Sequence, residues 1–271
     1  GEAERYNQWK LTQGAVEFKD EMIYLTTLPS SAGRVVLQDS ESHPNLTVST
    51  ELDGNKVGIQ SIYLRADKTL KNYIVVEVKN NYLLVNEVTN GVVKTLYKKS
   101  VNELQGKQPI SVDEDKHDAV TAELDAFKSY APKEVFSQEH LAPLKDQTTE
   151  TPKTVAQGAK LYEPIVHDQE QGHYKLGLTL TGSQLHLTFD GKDLGAVTVS
   201  HTAPGSLMLG ADWNVQSGQQ RDWDDDVYDG VFKELTVTDA DTNTVLFTSQ
   251  YSGWELFKYK ASKYLNVVIN W

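Results

Sequence analysis

The sequence contains no cysteine, which excludes disulfides, thiol nucleophiles and cysteine-ligated metals. Basic residues are also scarce: 26 Lys and Arg stand against 38 Asp and Glu, so the formal charge is −12 at pH 7. Such a charge repels phosphate backbones and anionic membrane surfaces, which argues against nucleic-acid binding. No apolar run reaches the roughly 18 residues of a membrane span, so we expect no membrane insertion. Hydrophobic residues make up 39% of the 271 residues, enough for a sizeable core.

Motifs for catalysis are lacking as well. Sandwich glycosidases of the glucanase type carry Glu-x-Asp-x-x-Glu on one strand, so that two carboxylates flank the glycosidic bond. Two stretches begin in this way at Glu51 and Glu123, but each ends in a lysine, Lys56 or Lys128. No two histidines have i, i+2 or i, i+4 spacing, and Gly-x-Ser-x-Gly and glycine-rich phosphate loops are absent. We therefore expect a non-catalytic protein.

Short period-two stretches separated by turn signals fill most of the sequence. Asn90-Gly91, Gly182-Ser183 and Asp190-Gly191 predict tight hairpins, because asparagine, aspartate and glycine tolerate positive φ. The leucines of 174–180 share one face of a strand, and so do the apolar residues of 184–189. About a dozen strands in meander-like order, without βαβ alternation, predict an all-β fold, an antiparallel β-sandwich or jelly roll.

The predicted sandwich module spans residues 1–249 and carries one insertion at about 113–172. A capping-box pattern at 111–114 and helical spacing up to Pro132 predict an amphipathic helix there. Residues 250–271 are either a terminal strand or the start of a further module, because they begin with a Tyr-x-x-Trp-x-Leu pattern that also occurs near the first residues of the chain.

An acidic run at 222–229 places several carboxylates in one loop, a set that suits a hard cation such as calcium. Its candidate ligands for a structural Ca²⁺ are Asp222, Asp224 and Asp226; we expect no other cofactor. A second stretch, 239–243, has alternating oxygen ligands between two predicted strands. The alternative for both stretches is that they are solvated turns.

Aromatic and charged residues together indicate a binding surface for sugars. Trp213 and Trp223 lie in or near one long loop with Asp212. Sugar rings are recognised by stacking of their C–H faces on aromatic rings and by bidentate hydrogen bonds from charged groups to pairs of hydroxyls. The alternative is that these tryptophans belong to the core, which we expect for Trp9.

The order of several stretches along the chain carries a resemblance. The stretches are 58–67, 72–77, 90–91, 173–182, 185–191, 205–210, Trp213 and 231–237. In this order they resemble the concanavalin-like, laminin-G-like β-sandwich modules, over about residues 5–110 and 172–249. They are most similar to the fructan (levan)-binding carbohydrate-binding modules of bacterial β-fructosidases.

This resemblance implies a non-catalytic module that captures a sugar, in the closest relatives the terminal fructose of levan. By position it implies that Arg65, Glu77 and Trp213 contact the ligand. With the neighbours that side-chain chemistry adds, the predicted ligand-binding residues are Arg65, Asp67, Tyr73, Glu77, Asp212, Trp213 and Trp223. The insertion at 113–172 departs from the family, which has a short turn there.

We therefore expect a carbohydrate-binding module of a larger bacterial glycan-active or cell-surface protein. It is expected to be a monomer, extracellular or at the cell surface, with a polysaccharide or oligosaccharide as partner. The lack of cysteine fits this location, although it also fits a cytosolic protein. The alternative function is a surface adhesion or protein-interaction domain that uses the insertion; a glycan hydrolase is the least favoured of the three.

Overall fold

The computed structural model describes residues 6–27, 32–53, 58–79, 81–106, 173–213 and 228–251, most of them in β-strands. The strands are β1 (Trp9–Gln13), β2 (Ala15–Lys19), β3 (Met22–Thr27), β4 (Ala32–Leu37), β5 (Leu46–Asp53), β6 (Gly58–Ala66), β7 (Tyr73–Lys79), β8 (Tyr82–Thr89), β9 (Val92–Ser100), β10 (His173–Thr181), β11 (Gln184–Phe189), β12 (Lys192–Thr198), β13 (Ser206–Trp213), β14 (Tyr228–Asp239) and β15 (Val245–Thr248). A 3-10 turn lies at Ser40–Ser42 and a helical turn, α1, at Val101–Leu104. Within these residues, no helix has the length and apolar character needed to cross a membrane.

The strands form two antiparallel sheets, and the fold is the predicted β-sandwich of the jelly-roll type. One sheet has seven strands in the order β1-β4-β13-β6-β7-β8-β9. The other has the order β12-β11-β10-β5-β14-β3-β2, with β15 paired to the second half of β14. The side chains of the first sheet alternate between the core and the opposite side. On that opposite side Tyr63, Ala66, Val75 and Met208 form a second, smaller buried cluster, with Tyr73 packed against it.

The core between the sheets follows the period-two alternation that the sequence predicts. Leu176, Leu178 and Leu180 of β10 are each 2% exposed or less. The same holds on β11 for Leu185, Leu187 and Phe189. Full burial of one such side chain stabilises the fold by roughly 2 kcal/mol. Trp9 also lies in the core, as predicted, with its ring edge-on to Phe247 at 5.2 Å.

The predicted hairpins are confirmed by the backbone at their turns. Asn90 and Gly91 both have positive φ, 51° and 79°, between β8 and β9. Asp190 and Gly191 do the same between β11 and β12, with φ of 49° and 76°. Gly182, with φ of 58°, turns β10 into β11. These dipeptides fix the register of the strands that follow.

β1, α1 and the 3-10 turn at Ser40–Ser42 were not predicted, and two predictions fall outside the described residues. β1 has apolar side chains only at Trp9 and Leu11, which is too short a pattern to identify a strand. The helical turn α1 is four residues long and has no capping motif. The amphipathic helix of the insertion at 113–172 lies outside the described residues, as does nearly all of 250–271. The domain limits therefore stay predictions.

Candidate functional site

A group of polar and aromatic side chains lies on the outward side of the seven-stranded sheet. We call it the Arg34 cluster, and its members are Arg34, Ser61, Tyr63, Tyr73, Glu77 and Asp212. Their direct chain neighbours, among them Val35, Ile62 and Ala211, belong to the core between the sheets. Because successive side chains of a strand point to opposite faces, the cluster residues point away from that core.

Arg34 and Asp212 form the most strongly bonded pair of the cluster. Nη2 of Arg34 donates to both carboxylate oxygens, at 2.8 and 3.1 Å. Nη1 donates to the backbone carbonyls of Gly33 and Ala211, at 2.8 and 3.3 Å. Burial works to lower the pKa of Arg34, but Tyr63 and Asp212 more than offset it, so the net pKa is raised. The guanidinium is therefore held in place and charged.

The aromatic part of the cluster packs beneath and beside this arginine. The guanidinium of Arg34 lies 5.2 Å from the ring centre of Tyr63, a cation–π distance. The ring of Tyr73 meets Tyr63 edge-on at 5.1 Å and is itself partly exposed. Gly210 makes room for this arrangement, because a Cβ there would lie 2.7 Å from Cε2 of Tyr63 and 3.1 Å from Nη1 of Arg34.

Glu77 supplies a carboxylate with spare hydrogen-bonding capacity. Its Oε2 accepts from Oγ of Ser61 and its Oε1 from Nδ2 of Asn86, both at 3.3 Å. Hydrogen bonds of this length are weak. Burial raises the pKa of Glu77, while the nearby Lys79 works in the opposite direction. A ligand hydroxyl would therefore find an acceptor here that the protein does not fully satisfy.

Arg65, the first of the predicted ligand contacts, is placed apart from the cluster. It has a left-handed backbone, with φ of 50°, and is 3% exposed. Its Nε donates to Pro44 O, its Nη1 to Gly182 O and His201 O, and its Nη2 to Oδ1 of Asn45, all at 2.7 to 3.1 Å. Burial lowers the pKa of Arg65. Here the guanidinium connects three loops at one end of the sandwich.

Asp67 organises the turn between β6 and β7. Its Oδ1 accepts from Oγ1 of Thr69 and from the backbone N–H of Lys71, and its Oδ2 accepts from Nδ2 of Asn72 at 2.7 Å. The bond from Asn72 is the main reason that the pKa of Asp67 falls to about 2. Both carboxylate oxygens are thus engaged by the turn itself.

Trp213 is the last residue of β13, where its backbone pairs with Gly58. Its side chain lies outside what the structure describes. The other predicted residues outside the described part are Trp223 and the candidate metal ligands Asp222, Asp224 and Asp226. Their roles stay predictions.

The second acidic stretch, at 239–243, forms the turn between β14 and β15. Oδ1 of Asp239 accepts from the backbone N–H groups of Asp241 and Thr242, and its Oδ2 lies 2.6 Å from Nδ1 of His43. Asp241 accepts from the side-chain amide of Asn45. The described residues hold no group of three or more side chains suited to a metal ion.

The structure thus brings together three predicted residues, Tyr73, Glu77 and Asp212, on one surface. Their charges are close enough to affect one another's pKa: burial raises the pKa of Tyr73, and Glu77 adds to that rise. Arg34, Ser61 and Tyr63 complete the cluster, although none of the three was assigned a role from the sequence. The signal for them was the alternation in 32–37 and 58–66, because their chain neighbours on these strands point into the core. The two strands lie on either side of β13.

Several solved structures are similar to this chain, whereas its sequence has no match among known families. No protein-family model matches this chain, and no curated sequence matches it either. Among solved structures, the carbohydrate-binding module CBM66 from Bacillus subtilis is similar at 14% identity and a TM-score of 0.46, covering 85% of this chain and 94% of that one.

Two further structures match over similar lengths. A native glycosidic hydrolase has 12% identity and a TM-score of 0.48, over 85% of this chain and 89% of that one. The metal-free carbohydrate recognition domain of Emp46p has 9% identity and a TM-score of 0.47, over 88% and 91%. At these identities the likeness concerns the fold alone.

Proposed function

We propose that this β-sandwich binds carbohydrate through the outward side of its seven-stranded sheet, at the Arg34 cluster. The observation that carries the proposal is the Arg34–Asp212 ion pair set beside two tyrosine rings and the Glu77 carboxylate. Sugars present hydroxyls that donate and accept hydrogen bonds, together with apolar C–H faces. Charged groups fixed next to aromatic rings match both features.

Each part of the cluster has a task in this proposal. Tyr73, which is partly exposed, provides a ring for a sugar C–H face. Glu77 accepts a bond from a hydroxyl, because its own partners lie at 3.3 Å. The side chain of Asp212 is 28% exposed and that of Arg34 14%, so both retain an accessible edge. Arg65 and Asp67 have no task in this proposal, because loop atoms engage their polar groups; their role as ligand contacts stays a prediction.

The ligand is a neutral glycan in this proposal. The charges of Arg34 and Asp212 balance one another, and those of Glu77 and Lys79 do the same. The whole chain carries −12, which disfavours polyuronates and other anionic polymers. Fructan is one neutral polysaccharide that meets this condition. We propose it as the first ligand to test, for an exported, monomeric, non-catalytic module.

A second candidate function, glycan hydrolysis, is favoured by one observation. Glu77 and Asp212 lie on the same sheet surface in different surroundings. Burial raises the pKa of Glu77, whereas Arg34 bonds to both oxygens of Asp212. Glycosidases use a pair of carboxyl groups in different surroundings. Binding remains the stronger candidate, because the ion pair with Arg34 occupies Asp212.

The experiment is a binding and cleavage screen with the folded chain. Levan, inulin, a mannan, a β-glucan and polygalacturonate are tested by calorimetry, and reducing ends are counted after long incubation. Binding to a neutral polysaccharide without product supports the proposal, and product that Glu77→Gln abolishes establishes the hydrolase instead. If no neutral glycan is bound or cleaved, the proposal fails and the protein-interaction alternative takes its place.

A further inference from the structure

A surface cavity of about 340 Å³ lies at the end of the sandwich where the chain leaves β4. We call it the His43 cavity. Its apolar lining comes from Leu37 and Leu246, and its polar lining includes Asn7, Gln8, Asp39 and His43. No member of the Arg34 cluster lines it. The volume is at the lower end of the roughly 300 to 1,000 Å³ that small-molecule sites occupy.

The loop that forms the cavity wall is held rigidly. Oγ of Ser40 donates to Leu37 O at 2.6 Å and accepts from the backbone N–H of Leu207 at 2.8 Å. The backbone N–H of Gln38 donates to Gln8 O at 2.8 Å. These bonds connect the loop to β13 and to the segment before β1. Binding would therefore require little ordering of the wall, which favours affinity.

His43 is oriented by a chain of hydrogen bonds. Its Nδ1 lies 2.6 Å from Oδ2 of Asp239, whose Oδ1 accepts from the backbone N–H groups of Asp241 and Thr242. A carboxylate bound in this way fixes both the ring and its tautomer. Nε2 is thereby left as the ring atom for a ligand, since no hydrogen bond to it occurs in the described ranges.

Asp39 brings a free carboxylate to the rim. Its backbone is left-handed, with φ of 63°, a strained conformation for a residue other than glycine. Among the residues that the structure describes, no hydrogen bond engages the side chain of Asp39, Asn7 or Gln8. Amides both donate and accept, whereas a carboxylate only accepts. The rim thus offers donors and acceptors next to an apolar floor.

We propose that the His43 cavity is a second ligand site, separate from the Arg34 cluster, and that it takes one small neutral polyhydroxyl molecule such as a single sugar residue. Hydroxyl groups are the ligand groups that pair with amides, a carboxylate and an imidazole at once. An anion would be repelled by the carboxylate of Asp39, which lines the cavity. A cation would find Asp39 alone, because Asp239 is engaged by His43.

The test is an NMR titration of the ¹⁵N-labelled full chain with glucose, fructose and N-acetylglucosamine, each up to tens of millimolar. Gluconate and glucosamine serve as the anionic and cationic comparators. At least one neutral sugar should produce saturable shifts of the Asn7 and Gln8 side-chain amides and of the 38–43 backbone. Asp39→Asn tolerates the left-handed backbone and should weaken the binding about tenfold, the scale of one hydrogen bond to a charged group.

Glu77→Gln is the matched control, because it alters the other surface and should leave these shifts unchanged. The same spectra report whether each variant is folded. The proposal would be overturned if no shifts occurred, if the shifts did not saturate, or if gluconate produced equal shifts. It would also be overturned if Asp39→Asn bound the sugar with the affinity of the parent chain. Each result is independent of whether the Arg34 cluster binds a polysaccharide.

Discussion

Arg34 and Asp212 form a two-point ion pair between β4 and β13, with Nη2 of Arg34 2.8 Å from one carboxylate oxygen and 3.1 Å from the other. The pair lies on the outward side of the sheet, above Tyr63. Charge-assisted bonds to both carboxylate oxygens give the pair orientation as well as energy. It is the rigid element around which the proposed sugar surface is built.

Replacing Arg34 by methionine should destabilise the protein by about 2 kcal/mol, the scale of hydrogen bonds to a charged group. The reason is that Asp212 keeps its charge but loses both of its bonds. Urea unfolding followed by circular dichroism measures the change. Arg34→Lys is the matched control. Its stability should lie between that of Arg34→Met and that of the parent chain, because an ammonium keeps the charge but lacks the planar guanidinium that bonds both carboxylate oxygens. Equal stability of Arg34→Met and the parent would show that the pair contributes nothing.

Gly210→Ala should disturb the aromatic part of the cluster. The added Cβ would lie 2.7 Å from the Tyr63 ring and 3.1 Å from Nη1 of Arg34, so one of them must move. We expect a loss of about 1 to 3 kcal/mol, as is typical of an overpacked site. Denaturant unfolding measures it. A double variant shows whether Tyr63 is the residue that clashes. In a Tyr63→Leu background, Gly210→Ala should lower the free energy of unfolding by less than it does in the parent chain. An equal loss in both backgrounds would exclude the clash with Tyr63.

Arg65→Ala should lower stability while leaving sugar binding intact at temperatures where the variant is folded. Four oxygen acceptors, from residues 44, 45, 182 and 201, lose their donor, and the side chain is almost fully buried. We expect a loss of roughly 3 kcal/mol, because buried acceptors left without a donor are costly. Thermal unfolding and calorimetry at low temperature measure the two quantities. Weakened binding by a fully folded Arg65→Ala would return Arg65 to the ligand surface.

Acid should destabilise the fold through Asp239. The hydrogen bond from His43, and then the backbone N–H of Thr242, lower the pKa of Asp239 to about 2 from its usual 3.8. A carboxyl group with a depressed pKa stabilises the folded state above pH 3.8, and this stabilisation is lost as the pH falls towards 2. In Asp239→Asn the melting temperature should therefore fall less than in the parent chain as the pH is lowered from 4 to 2. An equal fall in melting temperature for the variant and the parent chain would contradict this role of Asp239.

The fold was predictable because its signals are local. Dipeptides such as Asn90-Gly91 permit only a few turn geometries, and the alternation of apolar residues in 174–180 fixes which side of the strand is buried. β1 was not predicted because two apolar positions are too few to show an alternation. Its strand conformation depends instead on its pairing with β4. Tertiary contacts decide the conformation of such short segments.

The candidate site was predictable in part, for a different reason. The family resemblance implied Glu77 by its position, and the chemistry of neighbouring side chains added Tyr73 and Asp212. The alternation in 32–37 places Arg34 on the side of β4 away from the core, but its pairing with Asp212 depends on the register between β4 and β13, which the sequence does not show. Arg65 looks the same as a ligand-binding arginine in sequence. Only the loops that converge on it show that its donors are engaged.

The measurement that tests the central claim most directly is calorimetric titration of the parent chain, Tyr73→Ala and Tyr24→Ala with the neutral polysaccharide that binds best. Tyr24 lies on β3 of the other sheet and controls for the loss of a partly exposed tyrosine. The account predicts that Tyr73→Ala weakens binding about tenfold or more, since a lost stacking contact is worth roughly 1.4 kcal/mol, while Tyr24→Ala binds like the parent. Equal binding by all three folded proteins would contradict the claim that this sheet surface binds sugar.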